Sequence, residues 1–133
     1  HPLHWDTVYS AEHSFTGQRV VYGGLVLAWT ITQTSLDVGG HVLWETEWSD
    51  GAHPAPVAAG DTIFAATEVL ERREINDWCG EVTMRVVGVK NERPDQILAE
   101  GRSLFMPERS KPRDERIPNK VVEITRKAIV MRR

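Results

Sequence analysis

At 133 residues, with a formal charge of −3 and 41% hydrophobic residues, the chain has the size and balance of one ordinary domain or one lobe of a longer protein. The start inside a motif, without an initiator Met, favours the lobe. The longest apolar stretch, residues 20–31, is broken by Gly23 and Gly24 and falls short of the roughly 20 residues a membrane span needs, which excludes a helical membrane protein. The single cysteine, Cys79, excludes an internal disulfide and points to a reducing, cytoplasmic setting; no spacing of ligands suggests a metal.

Asp6 stands where an N-cap belongs, ahead of TVYSAEHSF, which is long enough for two helical turns. TGQRVV reads as a loop. Residues 24–36, GLVLAWTITQTSL, are apolar nearly all round, and such a helix must be surrounded by other structure. Trp29 on this helix reads as core, and Trp5, Trp44, Trp48 and Trp78 as packing residues. Strands are expected at residues 41–48, 61–71, 81–89 and 97–105, the last two separated by the turn-like KNERPDQ and the first two by the Pro/Gly-rich SDGAHPAPVAAGD. Cys79 reads as a small core or turn residue. Residues 108–133 carry nine Lys/Arg against four Asp/Glu, while the body, residues 1–107, carries seven against fifteen. The natural division is a domain over 1–107 and a basic tail over 108–133, solvated or packed on its own domain or a partner. The tail has no aromatic residues to stack on bases, which argues against nucleic acid. One helix followed by four long strands predicts an α+β fold.

Two short motifs carry the chemistry. HPLHWD, residues 1–6, supplies an imidazole, His4; VVYGGLVLAW, residues 20–29, places Gly23 and Gly24 at the start of the apolar helix. A glycine there leaves the backbone open to close approach, and the helix N-terminus adds partial positive charge. HPLHWD resembles the hydratase signature of the MaoC-like family, Asp, any residue, then Asn-Pro-x-His. Pro2 and His4 match, His1 replaces the Asn, and the Asp falls two residues before the chain starts. VVYGGL is similar to the family's second motif, with Gly23 at the glycine whose amide is the oxyanion donor and Tyr22 in place of the more common His. APVAAGDTIFAATEVLE resembles the entry into the strand that follows the helix in the hotdog fold. The runs QRVVYGGLVLA, GAHPAPVAAGDTIFA and VGVKN together look most like the C-terminal repeat of the mesaconyl-CoA (2-methylfumaryl-CoA) hydratases.

The resemblance implies a hotdog fold, a curved antiparallel sheet wrapped around a central helix, with its opening elements upstream of His1. It implies reversible addition of water to an enoyl-CoA thioester, including a short branched dicarboxylic one such as mesaconyl-CoA. Gly23 would hold the thioester oxygen with Gly24 nearby, and His4 with an upstream carboxylate would activate water. Tyr22 and His53, the latter in GAHPAP, would contact substrate. Coenzyme A enters as part of the substrate, and no separate cofactor is implied. A second hotdog unit is the implied partner, as a homodimer or another repeat of the same polypeptide.

Other readings stay open. His4 could be an exposed loop residue and His53 a structural one. A hotdog thioesterase is disfavoured because such enzymes need a carboxylate on or near the helix, where this chain has only Gln33; the same gap disfavours the fatty-acid dehydratases. The unit could also be a lobe without catalysis that shapes the acyl pocket of a two-repeat hydratase. Arg19 and Arg85 are the candidate cations for a second substrate carboxylate.

Overall fold

The computed structural model describes residues 1–132. A 3-10 turn at Pro2–His4 leads into helix α1, Thr7–His13, whose N-cap is Asp6, its carboxylate accepting from the Tyr9 N–H at 2.9 Å. Helix α2, Gly23–Gln33, is followed by strands β1, Val42–Ala52; β2, Ile63–Glu74; and β3, Cys79–Lys90. A short helix α3, Pro94–Ala99, then precedes strand β4, Lys120–Met131. The four strands form one antiparallel sheet in the order β1-β4-β3-β2. Bulges interrupt the register of β1 against β4, β2 against β3 and β3 against β4, and a bulged strand bends and twists. With α2 against β2, β3 and β4, this is the hotdog arrangement.

Helix α2 meets the sheet along one stripe at i, i+4 spacing. Val26 and Thr30 are buried, and Thr34, just past the helix end, continues the line. Thr30 donates its hydroxyl proton to the Val26 carbonyl at 2.9 Å, so this buried hydroxyl is paired under the helix. The close approach depends on Gly88 of β3. A Cβ there would lie 2.5 Å from Thr30 Oγ1 and 2.7 Å from Val122 Cγ1, both inside van der Waals contact. Val26, Val57, Val121 and Val122 form the cluster at the N-terminal end of α2, each such side chain contributing about 1.5–3 kcal/mol by leaving water. The other face of the sheet is covered by the excursion between β3 and β4. Ile97, Leu104 and Ile117 pack there on Val87 and Val89.

Three expectations are corrected. Residues 97–105 are not a strand: Pro94 at the first helical position starts α3, and Gly101 at φ +74 marks the reversal after it. Residues 108–132 are not a tail, and residue 133 of the expected tail lies outside the described residues. Lys120–Met131 form a central strand between β1 and β3, with Lys120, Glu123 and Arg126 buried in ion pairs. Their charges look like a solvated surface in composition but compensate one another in the fold. The packing tryptophans are largely open: Trp5, Trp44 and Trp78 are two-thirds exposed or more, and Trp48 is 49% exposed. Trp29 and Leu25, the i, i+4 pair on the flank of α2, are each 42% exposed, so this chain covers only one side of its apolar helix. Cys79 opens β3 at the turn after β2, where Asn76 Oδ1 accepts from the Trp78 and Cys79 N–H groups at 2.9 Å.

Candidate active site

His4 is fixed by the backbone on both sides. Leu3 accepts from the Val20 N–H at 3.1 Å, and His4 Nδ1 lies 3.0 Å from the Val20 carbonyl. A carbonyl can only accept, so Nδ1 is the donor, and in the neutral ring the lone pair is on Nε2. Val20 lies three residues before α2, which puts the imidazole beside the helix start. Its ring packs edge-on against Tyr22 at 5.5 Å between centroids. Tyr22, itself 62% exposed, is the N-cap residue and offers no side-chain cap. Its ring folds back over Gly24, where a Cβ would meet Tyr22 Cε1 at 2.5 Å.

The first backbone donors of α2 to find helical partners are Leu25 and Val26, both to the Tyr22 carbonyl. Among the described residues, the Gly23 and Gly24 amides at the helix start have no backbone or capping partner. Such uncapped donors with the helix dipole behind them attract a partly negative oxygen.

His53 comes in from the loop after β1. Its Nδ1 lies 3.1 Å from the Val121 carbonyl of β4, which again makes Nδ1 the donor and leaves Nε2 unprotonated in the neutral ring. Nε2 faces Gly23, 3.0 Å from where a Cβ would stand. A cavity of about 310 Å³ opens here. Gly23 and His53 line it together with Phe15, Val26, Val57 and Val121, and among the described residues His53 is the one polar side chain in its wall. Gly23 and His53 thus share one cavity. His4 stands outside its lining and reaches the helix start through the ring of Tyr22, with Gly24 beneath.

The loop that forms much of this wall is held by a group of residues whose spacing in sequence hid their role. Val21 donates to the Val57 carbonyl at 2.7 Å, tying the approach to α2 to the loop. Lys90 Nζ at the end of β3 donates to the Pro56 carbonyl at 2.8 Å and to Asp61 Oδ2 at 3.0 Å. Burial pushes the Asp61 carboxyl up, but hydrogen bonds from the Ala58 N–H, Asn91 and Lys90 outweigh it and hold it below the usual range. Gln33, at the other end of α2, donates to the Ile63 carbonyl at 3.1 Å. Neither candidate cation reaches the cavity: Arg85 is buried against Glu123, and Arg19 is exposed beside Gly17 and Gln18. Among the described residues no group of His, Cys, Asp or Glu is arranged for a metal ion, and no helix is long and apolar enough to cross a membrane.

No family model matches the sequence, and no curated protein does. Solved structures do match in fold. A monoamine oxidase regulatory protein of Archaeoglobus fulgius superposes with a TM-score of 0.66 at 22% identity, over 100% of this chain and 73% of that one. A protein of Chloroflexus aurantiacus described as a MaoC domain protein dehydratase gives 0.72 at 23%, over 96% of this chain. The chain spans 34% of that protein's length. The R-hydratase PhaJ1 of Pseudomonas aeruginosa, unliganded, gives 0.60 at 21%, over 98% of this chain and 64% of that one. The chain therefore shares the hotdog fold of MaoC-like dehydratases and hydratases.

Proposed function

We propose that this chain is the site-bearing unit of an acyl-CoA hydratase or dehydratase, adding water reversibly to an enoyl thioester. The observation that carries the reading is the uncapped start of α2 opening on an apolar cavity, with an imidazole on either side. In this reading the thioester oxygen lodges at the Gly23 amide, with Gly24 next to it. As water attacks the β carbon, the C=C electrons move toward the thioester and the charge developing on oxygen is stabilised by these donors. His4 Nε2 takes the proton from water, assisted by the upstream carboxylate that the motif implies, and a proton is returned to the α carbon to complete the addition. Tyr22 and His53 flank the bound acyl group. A short branched dicarboxylic acyl group such as mesaconyl remains the finer form of the proposal, supported by sequence resemblance alone.

The exposed flank of α2, Leu25 and Trp29, supports a second hotdog unit as the partner that covers it, either another copy or another repeat. The test is hydration of crotonyl-CoA and mesaconyl-CoA by wild type and His4→Ala. Removal of a general base lowers kcat by about 10²- to 10⁴-fold. Unchanged turnover in a variant with an unchanged circular dichroism spectrum refutes the assignment of His4.

A further inference from the structure

Addition of water to an enoyl thioester moves two protons, one away from water and one onto the α carbon, and His4 serves the first. His4 is not in the lining of the cavity at Gly23, whereas His53 is. Among the described residues, the other side chains of that lining are Phe15, Ala55, valines and prolines, none of which can carry a proton. An acyl group lodged there therefore has one acid or base beside it, on the loop after β1.

The setting of His53 suits that task. Its Nδ1 is committed to the Val121 carbonyl at 3.1 Å, which anchors the ring and makes Nε2 the atom where a proton comes and goes. Among the described residues Nε2 has no hydrogen-bond partner. A Cβ at Gly23 would lie 3.0 Å from Nε2 and 3.2 Å from both Cδ2 and Cε1, so the imidazole lies face-on to the glycine. The in-plane bonding direction of Nε2 therefore runs past Gly23 and is not blocked by it. A Cβ stands about 2.5 Å from its own amide nitrogen, which puts Nε2 no more than about 5.5 Å from the Gly23 nitrogen. When a thioester oxygen accepts from that amide at about 2.9 Å, its α carbon, two bonds from the oxygen, can lie against Nε2. His53 is also exposed, so its ring can trade protons with solvent between turnovers.

We infer, resting on the acyl-CoA reading, that His53 is a second catalytic residue, the acid that protonates the α carbon on hydration and the base that removes that proton on dehydration. On hydration His4 takes a proton from water as the C–O bond forms at the β carbon. The C=C pair moves to the α carbon and takes the Nε2 proton of the His53 imidazolium. His4 ends protonated and His53 neutral; His4 loses its proton to solvent and His53 gains one from it, so the net change is the addition of one water. Dehydration runs the same steps in reverse, with neutral His53 as the base. In both directions the Gly23 amide stabilises the negative charge that the α-carbon pair places on the thioester oxygen, which is why acid and oxyanion donor belong side by side.

The experiment makes two measurements on wild type, His53→Asn, His53→Gln and His4→Ala. One is hydration of crotonyl-CoA and mesaconyl-CoA. The other is entry of deuterium from D2O into the α position of butyryl-CoA, which has no hydroxyl to lose and so reports α-proton transfer alone. Asparagine can keep a donor on the Val121 carbonyl and glutamine extends as far as Nε2, but neither can carry the proton, and melting temperatures check that the loop holds. Both His53 variants should slow hydration about 10²- to 10⁴-fold and abolish deuterium entry. His4→Ala should slow hydration as much yet keep deuterium entry within about threefold of wild type, a split that a structural role for His53 would not produce. Deuterium entry that survives in the His53 variants, is lost equally in His4→Ala, or is absent from a wild type that hydrates either thioester overturns the role of His53 and leaves the hydratase reading standing. A wild type that hydrates neither thioester overturns that reading and His53 with it.

Discussion

Replacing Gly23 by alanine separates the chemistry proposed for the helix start from the stability of the helix. The new methyl group would sit 3.0 Å from His53 Nε2 and 3.2 Å from two of its ring carbons, tighter than ordinary contact. The ring must give by a few tenths of an ångström against its anchor on the Val121 carbonyl. Losing that hydrogen bond costs about 1 kcal/mol. The greater helix preference of alanine returns about 0.5–1 kcal/mol, so the melting temperature should move by only a few degrees. The rate should fall much further. The methyl group occupies the cavity where the substrate oxygen must come within hydrogen-bond distance of the amide, and loss of one such donor is worth about 10²- to 10³-fold in kcat. Gly24→Ala probes the neighbouring position of the same helix start. Its Cβ meets Tyr22 at 2.5 Å, but that ring is mostly in solvent and can swing away. Following the loss of enoyl-thioester absorbance in both variants decides the matter. A Gly23→Ala enzyme within about threefold of wild type in kcat/KM refutes the oxyanion role.

Two predictions concern stability. Gly88→Ala inserts a methyl group between Thr30 and Val122, and overpacking of this kind should cost about 1–3 kcal/mol in chemical denaturation. Combining it with Thr30→Ala should recover part of the loss, and simple additivity of the two changes would count against the close-approach argument. The depressed Asp61 carboxyl contributes stability that is complete above the ordinary aspartate range and is lost as pH falls through its lowered native value. Asp61→Asn should therefore lower stability at neutral pH and flatten the acid side of the melting-temperature profile; an unchanged acid limb contradicts that linkage.

Local patterns read well from sequence where the physics was local. The Asp6 cap, the Gly-Gly helix start and β1 to β3 follow from capping, glycine access and β composition, and the structure moves their ends by only a few residues. β4 was hidden because Lys120, Glu123 and Arg126 dominate its charge count, while the alternation of Val122, Ile124 and Ala128 toward the core carries its true character. The partners that neutralise those charges, Arg85, Glu108 and Glu45, come from distant segments. Of the candidate site, Gly23, Tyr22, Gly24, His4 and His53 stand out in the sequence, and of these the structure places Gly23 and His53 in one cavity. The rest of the cavity wall was not legible, because Val57 is brought to the approach of α2 by the Val21–Val57 hydrogen bond and its loop is held by the clamp of Lys90 on Pro56. The exposure of the tryptophans could not be foreseen either, since an aromatic side chain reads as buried whether its cover comes from the same chain or another.

The position of β4 between β1 and β3 has a consequence for how the chain acquires its shape during synthesis. β2 and β3 can zip together as soon as their short turn is made, but β1 bonds only to β4, made some seventy residues later. Until then β1 emerges from the ribosome as a ribbon with both edges bare and Leu43, Trp44 and Trp48 along it, the kind of segment chaperones hold. Stalled or shortened copies lacking β4 would forfeit two strand pairings at once, and should collect as aggregates rather than as a smaller folded remnant.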